Sequence, residues 1–287
     1  MAGDADGRRP GRWAPAGLLS PGTIWLVLFF LVPVWTLLRI ALSSKPSRFE
    51  NPEFTWEWSN FSNALDTFGS QFGRSFLYAA IATILALLIG YPLAYTVATR
   101  GGRWKDLLIG LVVVPFFTSF LIRTIAWKSI LSDAGPVTRA AKSVFGEDFR
   151  FLSTPGAVIG GLTYNFLPFM ILPIYVSLEK IDFRLVDAAG DLFATPFQSF
   201  RKVVFPLSLP GVFAGSLLVF IPAAGDFINA TFLGSPRTTM IGSVVQNQFL
   251  VQVNYPSAAA ISLILMAIIT TMVLIYSRLF GTEGLAA

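Results

Sequence analysis

The chain reads as an all-α, polytopic membrane protein with six transmembrane helices, and three observations carry that reading. Of its 287 residues 54% are hydrophobic and only 13% charged, with mean hydropathy +0.66, a balance foreign to a water-exposed domain. Six apolar segments reach membrane-spanning length, and the polar stretches between them are too short to be separate domains. The basic residues sit in short clusters beside those segments. There they act as topology signals, so the net charge of +5 is no nucleic-acid footprint.

Composition also narrows the chemistry. The 27 Phe residues suit lipid-facing and helix-packing surfaces. With no Cys there is no disulfide and no thiolate metal site, and with no His the commonest general base and metal ligand are missing. No metal site and no catalytic residue is expected.

Residues 1–17 are Gly-, Pro- and Arg-rich and read as a polar tail, with Arg8, Arg9 and Arg12 ahead of the first apolar run. That run, Ile24–Leu42, is too long for a signal-peptide core and lacks a small-x-small cleavage site after it. It reads as an uncleaved span, bent near Pro33. Residues 43–75 read as an interfacial loop with Trp56, Trp58 and Phe61, and Asn60-Phe61-Ser62 makes an inexpensive sequon match. Phe76–Ala98, about 35 Å as a helix, is the second span. The third runs from about Leu107 to Leu131, with Arg123 and Lys128 near its far end, where Arg123 is expected to snorkel outward. After a polar loop at 132–155, the fourth span covers Gly156–Leu178 and includes Pro168 and Pro173. The fifth is placed at Val212–Leu233 and the sixth at Ser257–Phe280, so that 18–287 forms one transmembrane domain with a charged elbow at 179–211.

Orientation follows from the loops. The N-terminal arginines, Arg100, Arg103, Lys105, Lys180, Arg184, Arg201 and Lys202 are densely clustered on one side, which assigns that side, and both termini, to the cytoplasm.

The elbow reads as two short helices. Asp182 caps the first, along which Ile181, Leu185, Ala188/Ala189 and Leu192 follow helical spacing. Thr195-Pro196 ends it and opens the second, with a capping Thr and a Pro at the first helical position. Asp187-Ala188-Ala189 followed by Val203-x-Phe205-Pro206 resembles the EAA loop of bacterial ABC-importer permeases: Glu-Ala-Ala, three residues, Gly, nine residues, Ile-x-Leu-Pro. Asp187 replaces the Glu. Phe193 stands where the pattern has Gly, so its ring must either fill a pocket on a partner or alter the backbone path.

Other stretches narrow the resemblance. Pro115–Thr124, Phe220–Phe227, Met240-Ile241-Gly242 and Asn254-Tyr255-Pro256 resemble the spermidine/putrescine permeases of the PotB/PotH type, while phosphonate and ferric-iron permeases share much of the architecture. The resemblance implies a type I ABC-importer permease fold in the bacterial inner membrane. It implies, too, a second related permease subunit, two cytoplasmic ATPases that carry the ATP and Mg, and an extracytoplasmic substrate-binding protein. The chain itself has no G-x-x-x-x-G-K-[ST] run with which to cradle ATP, and no cofactor is expected on it. On this reading Asp187, Ala188, Ala189, Phe193, Ala194 and Pro196 contact the ATPase.

Five residues are candidates for the substrate pathway. Asp226 is a carboxylate within a span, which costs about 2.5–3.5 kcal/mol on insertion scales and must face a cavity or a partner. It suits the ammonium of a polyamine, and equally it could pair with Arg123 or cap a broken helix near Gly225. Asn229 adds a polar group nearby. Trp127, Tyr164 and Phe166 could clamp an aliphatic ammonium chain or simply pack. An ion-coupled transporter would need paired repeats and several midplane acids, and an intramembrane enzyme would need a catalytic cluster. The sequence offers neither.

Overall fold

The computed structural model describes residues 14–45 and 51–280. The expected tail therefore lies outside the described residues up to residue 13, and its last four residues are already helical. The first span is a helix over Leu19–Ala41, made of α1 (Ala14–Leu26), a π-helical turn at Val27–Leu31 and α2 (Val32–Ala41). Pro33 has no N–H to give. The helix loosens just ahead of it, and the Val32 N–H reaches back five residues to the Val27 carbonyl.

The loop expected at 43–75 is mostly helix. After a two-residue pairing of β1 (Ser43–Ser44) with β2 (Glu53–Phe54), α3 runs over Ser59–Arg100, 42 residues and about 63 Å. Its first turns are polar in sequence. Yet Ala64, Phe68, Phe72 and Phe76 recur every four residues and lay one stripe against Ile241, Val244 and Ile261. Asn60 of the sequon is structural: its Nδ2 donates to the carbonyls of Ala41 and Ser43, 2.9 Å each.

The third span is not one helix. α4 (Lys105–Val113) continues as a 3₁₀ turn to Phe117, and the chain then bends by 92° into α5 (Phe120–Leu131) and α6 (Pro136–Phe145). Pro115 removes a helical donor, and Thr118 and Ser119 turn extended (ψ 149° and 131°). The Thr118 N–H and hydroxyl turn back to the Pro115 carbonyl at 3.2 and 2.6 Å. Among the described residues five helices are thus long and apolar enough to cross a membrane, and counting the bent pair as one span brings the total to six.

The fourth span, α7 (Pro155–Glu179), falls where the sequence put it and is capped by Thr154, whose hydroxyl accepts from the Ala157 N–H at 3.2 Å. It is the centre of the fold. Leu162, Met170, Ile174 and Leu178 on α7 share one buried cluster with Ala79, Ala82, Ala86 and Ala94 of α3, whose small side chains allow close approach. The same cluster takes in Val219 and Ala223 of the fifth span.

The elbow contains α8 (Arg184–Asp191) and α9 (Pro196–Ser199). The second of these is not a separate helix: it passes through a π turn at Phe200–Val204 into α10 (Phe205–Ala224), one helix over Pro196–Ala224. The fifth span placed at Val212–Leu233 therefore starts too late and ends too late. Gln198, Arg201 and Lys202 hid its start from hydropathy, and the chain breaks at Gly225–Phe227 before α11 (Ile228–Leu233). A short α12 (Ile241–Gln246) and a π turn at Asn247–Val251 precede α13 (Tyr255–Phe280), the expected sixth span.

Candidate functional site

Two regions gather the candidate residues. The first is the elbow. The Asp182 carboxylate accepts from the Arg184 N–H at 3.0 Å, fixing the start of α8. Asp187 and Ala188 are exposed on that helix and Ala189 is half-buried. α8 closes with two bonds of a Schellman cap, Ala194 N–H to the Ala189 carbonyl (3.0 Å) and Phe193 N–H to the Gly190 carbonyl (2.9 Å).

This cap places Phe193 in the left-handed region, φ 61°. Of the two alternatives for its ring, an altered backbone path is therefore not the one taken. The chain follows the path that glycine favours, and a side chain there costs about 1–2 kcal/mol. The ring itself is 95% exposed. Thr195 then opens the next helix with a capping box. Its hydroxyl accepts from the Gln198 N–H (3.3 Å), the Gln198 side chain accepts from the Thr195 N–H (3.0 Å), and Pro196 takes the first position. Asp187, Ala188, Ala189, Phe193, Ala194 and Pro196 are thus one locally bonded segment. At its base Glu179 accepts from Lys105 and from the Tyr175 hydroxyl, 3.0 Å each, tying the end of α7 to the start of α4.

The second region lies where the broken spans cross. Asp226 sits in the break between α10 and α11, 8% exposed, and its Oδ1 accepts from the Asn229 N–H at 2.7 Å. It caps a broken helix, one of the roles open to it from sequence. No ion pair joins it to Arg123 among the described residues. Asn229 is fully buried, and its Oδ1 accepts from Asn165 Nδ2 at 3.0 Å. Asn165 Nδ2 also donates to Thr124 Oγ1 at 3.2 Å. One amide thereby joins α5, α7 and α11.

Close backbone approach makes this clasp possible. A Cβ on Gly161 would lie 2.4 Å from Leu233 Cδ1 and 2.7 Å from Asn229 Oδ1. A Cβ on Gly242 would lie 2.3 Å from the Gly225 carbonyl oxygen and 2.9 Å from Asp226 backbone atoms, so Met240-Ile241-Gly242 is packed onto the break. The Ile241 N–H is held by Ser75 Oγ of α3 at 2.7 Å.

Arg123 does not snorkel. It is 8% exposed in the first turn of α5, with its guanidinium over the rings of Phe120 (5.7 Å) and Phe116 (5.8 Å). The bend at Thr118–Ser119 turned it inward. Its Nε, Asn165 Oδ1 and Asn229 Nδ2 are buried without a hydrogen-bond partner. Trp127 and Tyr164 meet edge to face at 5.2 Å on a partly exposed face, whereas Phe166 is buried against Phe120 at 5.8 Å. Asn165 and Thr124 were missed in the sequence. The signal was there, an amide inside the apolar run from Leu162 to Leu178, but nothing local named its partner.

Two clefts adjoin the break. One, of about 610 Å³, sets Thr231, Ser235, Ser243 and Gln246 among apolar neighbours such as Phe68, Val244 and Leu250. Gly225, Phe227, Phe249, Leu250 and Met266 line an apolar one of about 590 Å³, and Gln246 borders both.

Residues 86–280 match the family of binding-protein-dependent transport system inner membrane components. The chain belongs to that family. This permease is 38% identical over 258 residues to the spermidine/putrescine transport system permease protein PotB of Haemophilus influenzae, covering 88% of this chain and 90% of the relative. Its identity to PotB of Escherichia coli is 37%, over 88% and 93% of the two chains. It is 32% identical to the inner membrane ABC transporter permease protein YdcU of Escherichia coli, over 74% and 72%. Among solved structures, the permease superposes on a chain of a bacterial ABC transporter that imports alginate with a TM-score of 0.69 at 19% identity, covering 93% and 94%. For the inward-facing methionine transporter MetNI the TM-score is 0.59 at 17% identity, covering 74% and 94%. The fold is that of the type I ABC-importer permeases.

Proposed function

We propose that this permease forms half of the membrane pathway of an ATP-driven polyamine importer. One observation carries the substrate class: identity of 37–38% across 88% of the chain to permeases named for spermidine and putrescine. The break supports it. Asp226 is a buried carboxylate with no cationic partner among the described residues, and its chain neighbours Gly225 and Phe227 line an apolar groove edged by Gln246. A polyamine presents ammonium groups on methylene chains, which such a pairing of carboxylate, amide and apolar wall accommodates. Asn229 positions Asp226 through its backbone N–H, and Trp127 and Tyr164 offer ring faces and edges along the route.

The elbow is the docking element for the ATPase, so its end of the molecule lies in the cytoplasm together with both termini. ATP and Mg are bound by two partner ATPases, a second related permease completes the pathway, and an extracytoplasmic binding protein delivers substrate. Closure of the ATPases draws the two elbows together and opens the pathway outward, and hydrolysis resets it. Because α9 and α10 are one continuous helix, a push at Thr195–Pro196 is transmitted along it to the break at Gly225–Phe227.

The test is uptake of labelled spermidine, putrescine and unrelated solutes by the assembled importer in proteoliposomes. Polyamine-selective uptake, with Asp226→Asn raising KM at least tenfold, is the expected outcome. Preference for another solute, or wild-type kinetics in the variant, defeats the substrate assignment.

A further inference from the structure

We propose that the Val253 carbonyl and the Tyr255 ring form an alkylammonium site at the end of the molecule opposite the elbow, filled by the chain's own Lys45 until a substrate amine displaces it. The proposal rests on the polyamine reading of the permease and gives that substrate an entry point separate from Asp226.

The end of the first span and the start of the sixth meet at this corner. Ala41 packs on Ala259 and Ala260 of α13, which brings Lys45 beside the Asn254-Tyr255-Pro256 turn. α3 runs from here, where Asn60 holds the Ser43 carbonyl, to the elbow end, where Lys105 meets Glu179. Lys45 Nζ donates to the Val253 carbonyl and lies 4.8 Å from the centre of the Tyr255 ring. A carbonyl oxygen and a ring face are a pair of groups that holds an ammonium outside bulk water. The lysine side chain is chemically a butylammonium, so the structure shows the head of a diaminoalkane already seated.

Three features make this contact exchangeable. No carboxylate neutralises Lys45 among the described residues: Glu53 on the paired strand and Glu57 beyond it form no ion pair with it. Its departure therefore strands no counter-charge, and an incoming ammonium restores the same two contacts. Asn254 caps α13, its Oδ1 accepting from the Ser257 N–H at 3.3 Å, so the ammonium stands before the positive end of a helix, which loosens its hold. Lys45, Val253 and Tyr255 are all half-buried, within reach of a ligand.

The backbone that presents the carbonyl is strained. Val253 is left-handed at φ 54°, an outlier for a β-branched residue, in a turn held by the Asn254 N–H on the Gln248 carbonyl at 2.8 Å. Such strain persists where the surroundings impose it, ligand clamps among them. The site also leads inward. Phe249, on the π turn at Asn247–Val251, meets the Tyr255 ring edge to face at 5.1 Å and lines the apolar groove shared by Gly225 and Phe227, the chain neighbours of Asp226.

The experiment uses the assembled importer in nanodiscs, its lysines carrying isotope-labelled dimethyl groups that keep their charge, with the Lys45 resonance assigned from Lys45→Arg. That resonance should be shifted upfield by the Tyr255 ring and lose the shift in Tyr255→Leu. Putrescine should return it to the position of a free lysine, and uncharged butanediol should leave it in place. A Lys45 resonance without the ring shift overturns the site. So does one that putrescine fails to move, which marks a structural tie. In uptake, Lys45→Gln should lower the KM for putrescine about threefold by removing the tethered competitor. Tyr255→Leu should raise it about fivefold with kcat retained. A higher KM in Lys45→Gln, or a loss of kcat at unchanged KM in Tyr255→Leu, overturns the entry role. Polyamine uptake with an unmoved Lys45 resonance leaves the polyamine reading standing and removes this site. Uptake of another solute in preference overturns that reading and the entry role with it.

Discussion

The elbow and the crossing of the broken spans are built on opposite principles. Every bond that shapes the elbow from Asp182 to Gln198 joins residues at most five apart in sequence, and most of its side chains face outward. The crossing is shaped by bonds from Asn165 to Thr124 and Asn229, and from Ile241 to Ser75, between buried groups far apart in the chain. The elbow is therefore rigid by itself and free to be gripped. The crossing exists only when several helices are in place, so it reports how those helices are arranged. The proposed function uses both, a handle whose shape does not depend on the pathway and a pathway whose shape depends on everything attached to it.

That contrast can be broken at the crossing with the largest effect. Gly242→Ala puts a Cβ against the backbone of Gly225 and Asp226, neither of which is the movable end of a side chain. A loss of about 3 kcal/mol is expected, read as a collapse in folded yield and melting temperature in detergent. Wild-type stability in this variant means the break is not packed as described. Asn165→Ala comes next. It leaves the buried Asn229 carbonyl oxygen without a donor, a loss of about 2 kcal/mol, and should slow uptake by letting α5, α7 and α11 separate. Uptake at the wild-type rate alongside a lowered melting temperature would confine Asn165 to a structural part.

The smallest effect belongs to the elbow. Thr195→Ala deletes the capping box and should cost about 1 kcal/mol, confined to amide exchange over residues 195–199, with global melting unchanged. A global loss of stability there would erase the distinction between the two regions.

The elbow was legible in the sequence because its code is short-range: Asp182, Thr195 and Pro196 carry their own positional meaning. Even the misfit at Phe193 was visible, although the left-handed backbone beneath it was not. The spans with uninterrupted apolar runs, α7 and α13, were placed to within two residues. Asp226 stood out as a lone acid, but its roles could not be told apart from sequence. Which of them it fills depended on the break after Ala224.

By itself the sequence determined the membrane class, the six apolar segments, the absence of a nucleotide loop and the helix start at Thr195-Pro196 in the elbow. These follow from composition, hydropathy and caps, which act within a few residues. Tertiary structure alone decided that the third span bends by 92°, that α3 continues down to Ser59, that Arg123 turns inward and that Asn165 meets Asn229. Each of these depends on a partner supplied by a distant helix. A polar stretch becomes helix when Ile241 and Ile261 cover its Phe stripe, and a buried amide acquires a role only when its acceptor arrives from elsewhere in the chain.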